Sequence, residues 1–186
     1  MYKDCKTEQS AVRQRQLEQG LLQTMLQQRF DEISVSDLCD RLQIPRKSFY
    51  RYFSSKDGAL FALLDHTMMD FYRFPFQELT SRQGTAQGDL ERYFLFWYAN
   101  RDLLEALQRS QLSGLLVERA TSLAMSEHLM PRRMQSWAAH IQSAALSFSI
   151  CGLTAMVLRW HSDGYQLSAA EMASIATEML TKPLIG

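Results

Sequence analysis

The chain has 186 residues, of which 46% are hydrophobic and 22% are charged, and its formal net charge is zero. A neutral chain is not a bulk nucleic-acid coat, but sequence-specific DNA binding stays possible because it depends on local charge. Its three cysteines, Cys5, Cys39 and Cys151, are too widely spaced to predict a disulfide framework or a zinc motif. We therefore expect a cytoplasmic protein with one compact unit, or two small ones sharing a core.

The N-terminal third predicts one helix and a weakly cationic region. The first residues are polar and lack the apolar core of a signal peptide. Apolar residues then recur at helical spacing from Gln9 to Arg29, so we expect the first helix there. Residues 1–57 carry ten cationic and eight acidic side chains, a net charge of +2, which leaves −2 for the remainder.

Residues 34–60 have the pattern of two short helices joined by a tight turn and followed by a longer helix. Ser34-x-x-Asp37 is a capping-box pattern at the start of the first helix. Pro45 ends that helix near Gln43 and opens the second, because proline disfavours a helical residue before it and suits a first helical position. Ser54-x-x-Asp57 predicts the cap of the third helix.

The second short helix has an apolar side and a cationic side. Phe49 and Phe53 lie four residues apart, so we expect both to be buried. No acid occurs between residues 41 and 56, and cations and hydroxyls occupy the outer face. Such a helix suits the major groove of DNA. Charge alone favours a solvated basic helix in a bundle, and it is the conjunction with the helix-turn-helix pattern that favours DNA. The cations are Arg41, Arg46, Lys47, Arg51 and Lys56.

Residues Leu17 to Leu64 resemble the N-terminal domain of the TetR/AcrR-type transcriptional regulators. The most specific part is Ser48–Leu60 (SFYRYFSSKDGAL), which is similar to that family's T-hydrophobic-Y-x-x-F-x-x-K-x-x-L signature. The resemblance implies an all-α fold, with a three-helix helix-turn-helix DNA-binding domain at residues 1–56. A helical effector-binding and dimerisation domain would follow at residues 57–186.

The resemblance also implies contacts with double-stranded operator DNA. By position, Arg46, Lys47 and Ser48 would contact bases. Phosphate contacts would come from Ser34 or Ser36, Tyr50, Tyr52 and Lys56.

Two residues of the turn depart from the family pattern. Gln43 stands where a small residue, usually glycine, is common, and Pro45 replaces a common serine cap. They keep open an alternative in which the chain is a helical protein-binding adaptor that has lost DNA binding.

Beyond the signature, the sequence predicts further amphipathic helices. A helix from Lys56 through Phe71 should end before Pro75 and couple the two domains. Residues 74–88 form the clearest predicted loop, after which Gly88 or Asp89 should cap a helix with five aromatic residues in six positions, 93–98. Later helices are predicted at residues 101–111, 113–130, 134–161 and 169–180, the last with a capping box at Ser168-x-x-Glu171.

An effector pocket is predicted around the aromatic residues. It would enclose a small, largely apolar or aromatic molecule. The alternative is ordinary core packing, which is the more common role of aromatic residues at helical spacing. The predicted pocket residues are Met68, Phe71, Tyr93, Phe94, Trp97, Trp137 and His140.

The last two helices are too apolar for a monomer surface, which predicts a four-helix homodimer interface. Packing against the rest of the same chain is the alternative. Residues 134–158 lack charged side chains, but their Ser, Thr, Gln and His content argues against a membrane span. The predicted interface residues are Phe148, Met156, Trp160, Met172, Ile175 and Met179.

No motif of catalysis or metal binding accompanies these helices. The sequence has no glycine-rich phosphate loop, HExxH pair or nucleophile elbow, so we expect no catalytic residue, metal or cofactor. An enzyme built on a helical bundle would need turnover that depends on His140 or Cys151.

The prediction is a homodimeric transcriptional repressor that a small effector releases from DNA.

Overall fold

The computed structural model describes residues 1–71, 85–125 and 136–181, and within these ranges the chain is all-α. The predicted fold class is therefore confirmed. A short 3-10 turn, Phe30–Glu32, follows the first helix. The helices are α1 (Glu8–Met25), α2 (Val35–Arg41), α3 (Arg46–Tyr50), α4 (Lys56–Phe71), α5 (Ala86–Ala99), α6 (Arg101–Arg109), α7 (Ser113–Ala124), α8 (Ala139–Ser162) and α9 (Ala169–Thr181).

Packing divides the chain into two compact units. The N-terminal unit comprises Met1–Met69 with Glu105–Leu123, and the C-terminal unit comprises Asp70–Leu104 with Ala124–Gly186. The end of α6 and nearly all of α7 thus pack with the first four helices. The sequence predicted a boundary between a DNA-binding and an effector-binding domain at residue 56. The packing units do not test this functional boundary, which stays a prediction.

The N-terminal unit has a core of aliphatic and aromatic side chains. Leu21 and Met25 of α1 are fully buried, as are Phe49 and Phe53. Gly20 lets the end of α2 pack close to α1, because a Cβ atom there would lie 2.4 Å from Cδ2 of Leu42. A larger residue at position 20 would push the Leu42 side chain away from α1.

A short extended segment crosses this unit at the end of α3. The amide of Lys3 donates to the carbonyl of Tyr52 at 3.0 Å, and the amide of Ser54 donates to the carbonyl of Met1 at 3.1 Å. Gly58 of α4 permits this crossing, because a Cβ atom there would lie 2.6 Å from the Met1 carbonyl oxygen. A larger residue at position 58 would collide with backbone.

In the C-terminal unit, α5 packs most extensively against α9 and also contacts α8. Phe94, Phe96 and Trp97 of α5 are buried, together with Trp160 of α8 and Ala173 of α9. The Phe94 and Trp160 rings meet edge to face with centroids 5.6 Å apart. Small residues on α9 let the large rings of α5 fill the space between the helices.

Two predicted caps are confirmed. The Ser34 hydroxyl accepts a bond from the Asp37 amide at 3.1 Å. At the start of α9, the Glu171 carboxylate accepts from the Ser168 amide at 2.7 Å, and the Ser168 hydroxyl accepts from the Glu171 amide at 3.2 Å. Both caps satisfy amides that have no partner within the helix.

Two other predicted caps are wrong. Ser55, not Ser54, caps α4, since its hydroxyl accepts from the Gly58 amide at 3.1 Å, whereas the Ser54 hydroxyl donates to Met1. Helix α5 is capped by Thr85, whose hydroxyl also accepts from a glycine amide, that of Gly88, at 3.1 Å. Glycine has no capping oxygen and is tolerated within the first turn, so the helix begins earlier than predicted.

Two further helix ends differ from the prediction. Helix α1 ends at Met25 rather than Arg29, because the amides of residues 27 and 28 both turn back to the Thr24 carbonyl. Helix α8 begins at Ala139 rather than Met134, since Ala138 is extended. The predicted loop at 74–84, residues 134–135 and the predicted end of α7 at Met130 lie outside the described residues.

Candidate nucleic-acid interface

The turn between α2 and α3 keeps its geometry without glycine. Gln43 has a φ of 52°, in the left-handed region that glycine favours. The next amide, of Ile44, donates to the Cys39 carbonyl at 3.0 Å, which closes the end of α2. Pro45 is extended, with φ −64° and ψ 140°, and α3 begins one residue later. The two departures from the family pattern therefore leave the helix-turn-helix intact.

Helix α3 presents a cationic outer face over an apolar base. Phe49 and Phe53 are both 0% exposed, which confirms the prediction from their spacing. Arg46, Lys47 and Tyr50 of α3 are exposed, and so is Arg51, which follows the helix directly. The two phenylalanines fix the helix, so that its cations and hydroxyls can meet a ligand without rearrangement of the backbone.

Arg46 and Tyr50 lie one turn apart and interact. The hydrogen bond with Tyr50 holds the pKa of the Arg46 guanidinium above its ordinary value. An arginine with one donor on Tyr50 keeps its other donors for base or phosphate oxygens. The predicted base contact and the predicted phosphate contact are therefore linked before DNA is bound.

The remaining predicted DNA contacts differ in accessibility. Ser34 is exposed, but its hydroxyl already bonds to the Asp37 carboxylate at 2.6 Å while it caps α2. Ser36 and Ser48 are half-buried. Tyr52 is only 8% exposed, with its ring centroid 6.3 Å from that of Phe53.

Lys56 is bound within the protein. Its Nζ donates to the carbonyls of Phe30, Asp31 and Ile33 at 2.7, 3.1 and 2.8 Å, and lies 4.7 Å from the centre of the Phe30 ring. An ammonium group has three donors, and these bonds use all of them. Lys56 thus joins the start of α4 to the turn before α2. Its phosphate contact stays a prediction, and it would require exchange of these bonds.

Ser110, the residue that follows α6, also holds the turn at Phe30. The Phe30 amide donates to the hydroxyl of Ser110 at 3.0 Å, and Ser110 is itself buried. Sequence reasoning missed Ser110, because a serine eighty residues away gives no local signal of this contact.

A buried carboxylate joins three parts of the N-terminal unit. Asp65 of α4, 5% exposed, accepts from the Arg119 Nε atom at 2.8 Å and is paired with a second nitrogen of the same guanidinium. The Tyr2 hydroxyl donates to Asp65 at 2.8 Å. The pKa of the Tyr2 hydroxyl is raised well above its usual range. Burial is the main cause, and the hydrogen bond to the Asp65 carboxylate is the next. The Arg119 guanidinium also lies over the Phe61 ring, at 5.3 Å.

A second carboxylate in this unit is completely buried. Glu18 of α1 is 0% exposed, and its two oxygens lie 2.9 and 3.0 Å from Nδ1 of His66. Arg15 lies 3.9 Å from the same carboxylate. Sequence reasoning missed this pair too, since Glu18 and His66 belong to different helices.

The structure brings together four of the seven predicted pocket residues. Phe71, Phe94 and Trp97 surround Tyr93, with ring centroids 6.0, 5.6 and 6.4 Å away. Burial raises the pKa of Tyr93 to about 12, against smaller opposing effects of hydrogen bonds with Thr154 and Trp97. A tyrosine hydroxyl within an apolar cluster can orient a ligand as well as stabilise the core.

The other predicted pocket residues lie elsewhere. Met68 is buried in the N-terminal unit. Trp137 and His140 are exposed next to the start of α8. The pocket as a whole stays a prediction.

The predicted interface residues fall into two groups. Phe148 and Met179 are 69% and 47% exposed, and Met156 and Ile175 are half-buried. Trp160 and Met172 are buried within the protomer, and the Trp160 indole donates to the Leu167 carbonyl at 2.8 Å. A second protomer could therefore contact the exposed and half-buried side chains directly. Of Trp160 and Met172 it could reach only the small part that stays exposed.

The geometry is that of a helix-turn-helix with a cationic second helix, and the comparisons with known proteins agree with it. Residues 22–63 match the family described as "Bacterial regulatory proteins, tetR family". This segment is therefore similar to the DNA-binding domain of that family, and the match supports a transcription regulator. The segment includes the end of α1, all of α2 and α3, and the first half of α4.

A solved structure extends the similarity of fold to most of the chain. It is named "Dihydroxyacetone kinase operon activator DhaS" and has a TM-score of 0.57 at 16% identity, with 90% of this chain and 93% of that chain covered. At this identity the likeness shows the fold alone. A search of curated proteins found no match.

Proposed function

We propose that the chain is a homodimeric, sequence-specific transcriptional repressor that a small apolar or aromatic effector releases from its operator in the cytoplasm. The observation that carries the proposal is the cationic face of α3 and its C-terminal end. Arg46, Lys47 and Arg51 are exposed there, and Phe49 and Phe53 behind them are fully buried. Two such helices, one per protomer, would enter successive major grooves about 34–36 Å apart.

Support for a homodimer comes from the exposed face of α8. Residues 141, 144, 148, 151, 152 and 155 are exposed at helical spacing, and all are apolar or small. By length and composition alone, α8 could also cross a membrane, since its mean hydropathy is 1.7. Only 17% of its most apolar stretch is buried within the protomer. A helix that packs against its copy has the same properties, and the Ser and Thr residues along α8 favour this reading.

The exposed face of α8 has complementary features for two-fold packing. Phe148 protrudes with 69% of its surface exposed, and one turn later nothing lies within 4 Å of the position of a Gly152 Cβ atom. In an antiparallel pair of α8 helices, Phe148 of each protomer can fill the notch at Gly152 of the other. Such an isologous contact is the usual basis of a two-fold dimer.

The effector part of the proposal rests on the cluster around Tyr93. An apolar molecule that displaces one of these rings would change the packing of α5 against α8 and α9. It would release DNA only by binding more tightly to a dimer geometry that does not fit the operator. Mutation of Tyr93 to Phe should therefore alter the response to effector and leave operator affinity without effector unchanged.

A second candidate is transcriptional activation by the same dimer. The observation that favours it is the similarity of fold to a protein named as an operon activator. A reporter gene under the operator distinguishes the two, because deletion of the regulator raises expression for a repressor and lowers it for an activator.

The DNA-binding proposal is tested with duplex from upstream of the chain's own gene, at two salt concentrations. Wild-type protein should bind this duplex more tightly than a scrambled one, and binding should weaken with salt. Lys47→Ala should change the order of preference among operator variants by about 1–3 kcal/mol at the base it contacts. A protein that ignores every duplex in dilute buffer would be the adaptor of the alternative hypothesis.

A further inference from the structure

A polar groove runs along the N-terminal half of α1 beside α3. It has a volume of about 570 Å³ and is lined by Ser10, Arg13 and Gln16 of α1, and by Ser48, Arg51 and Tyr52 at α3. Every lining residue belongs to the N-terminal unit. The predicted base and phosphate contacts include Ser48 and Tyr52 but neither arginine of this groove.

The charge of the groove suits an anion. Arg13 and Arg51 are both exposed, and no acidic side chain contributes to the lining. The Arg13 guanidinium donates to the Gln16 side chain at 3.0 Å, a bond that orients it along α1 and leaves other donors available. Guanidinium groups bind phosphate oxygens with two parallel hydrogen bonds, and the hydroxyls of Ser10 and Ser48 can donate further bonds.

We propose that this groove seats a sugar-phosphate strand of the operator, with Arg13 and Arg51 as phosphate ligands. The inference rests on the proposed function, because the exposed side of α3 lies in the major groove in that account. The strand that borders the major groove then passes beside α3 and meets α1. Phosphate contacts from a second helix fix the register of the recognition helix without reading sequence.

The test compares the charge-removing variants Arg13→Gln and Arg51→Gln with wild-type protein by fluorescence anisotropy on the operator duplex. Each should weaken binding about tenfold at low salt, equally for all operator variants. Each should also reduce the slope of log affinity against log salt by about 0.9. Arg13→Lys should retain the slope, and Arg101→Gln, an exposed change of equal charge in the C-terminal unit, should change neither quantity.

Four outcomes would overturn the inference. If wild-type protein binds its operator and both variants keep its salt slope, the groove does not hold a phosphate strand and the proposed function survives. If the variants lower the melting temperature together with affinity, the arginines act through folding. If wild-type protein binds no duplex, both proposals fail. Saturable binding of inorganic phosphate below 1 mM, lost in Arg13→Gln, would assign the groove to a free anion instead.

Discussion

The two units differ in what they bury and what they expose: the first buries charged groups, and the second exposes apolar ones. The N-terminal unit buries two carboxylates, and each has a cationic or hydrogen-bonding partner from another helix. The C-terminal unit instead leaves an apolar helix face exposed, with Phe148 69% exposed at its centre. Paired buried charges fix one arrangement of helices, whereas an uncovered apolar face requires a partner. The N-terminal unit therefore satisfies its buried charges within one chain, whereas the proposed homodimer would cover the exposed face of α8 in the C-terminal unit.

The largest expected effect is on the apolar face of α8. In the proposed dimer, Phe148→Asp would place two like charges near the two-fold axis and remove the apolar contact from both protomers. We expect the dimer dissociation constant to rise at least about 100-fold, measured by sedimentation equilibrium. Met125→Asp is the matched control, because Met125 is an exposed apolar residue outside α8 and α9. An unchanged dimer in Phe148→Asp would show that α8 is not the interface.

A smaller effect is expected from the buried ion pair of the N-terminal unit. Asp65→Asn removes the charge that faces Arg119 and should lower the free energy of unfolding by about 3 kcal/mol, since loss of one partner leaves the other uncompensated. Asp163→Asn is the control, because the Arg159–Asp163 pair is largely exposed and should change stability by less than about 0.5 kcal/mol. Urea unfolding measures both. Equal effects of the two variants would contradict the assigned role of Asp65.

A substitution of Lys56 tests whether its hydrogen bonds to three carbonyls stabilise the turn before α2. Lys56→Met removes three bonds to carbonyls and should lower the free energy of unfolding by about 2 kcal/mol. DNA affinity should fall while its salt slope stays the same, because a residue that only positions others releases no counterions. Lys47→Met, an exposed change on α3, should leave stability unchanged. A reduced slope with normal stability in Lys56→Met would make Lys56 a phosphate ligand.

The smallest effect is expected at the turn. Gln43→Gly removes the steric cost of a left-handed backbone conformation at a residue with a side chain. It also makes the unfolded chain more flexible, so we expect a gain in stability of at most about 1 kcal/mol. Operator affinity should stay within a factor of two. Thermal unfolding and anisotropy measure the two quantities. A loss of stability would mean that the Gln43 side chain contributes more than its backbone conformation costs.

Local sequence patterns predicted the helix-turn-helix well. The spacing of Phe49 and Phe53 and the caps at Ser34 and Ser168 depend on residues within one turn of each other, so a single sequence displays them. The Ser54 and Gly88 caps failed because serines and glycines near a helix start offer several similar choices, and tertiary contacts decide among them.

Contacts between distant residues could not be predicted. Asp65 and Arg119 lie 54 residues apart, and the carbonyls that bind Lys56 belong to backbone that carries no sequence signal. The groove between α1 and α3 likewise exists only after the helices pack. For the same reason, the sequence did not show that Lys56 is bound to three carbonyls or that Arg13 and Arg51 line one groove.

The most direct test of the central claim is a hydroxyl-radical footprint of the wild-type protein on its operator. The account predicts two protected patches whose centres are one helical turn apart, about 34–36 Å, related by two-fold symmetry. It also predicts that Phe148→Asp loses the paired protection at concentrations where wild-type protein gives it. A single protected patch, or no protection in dilute buffer, would contradict the proposal that two cationic α3 helices read DNA together.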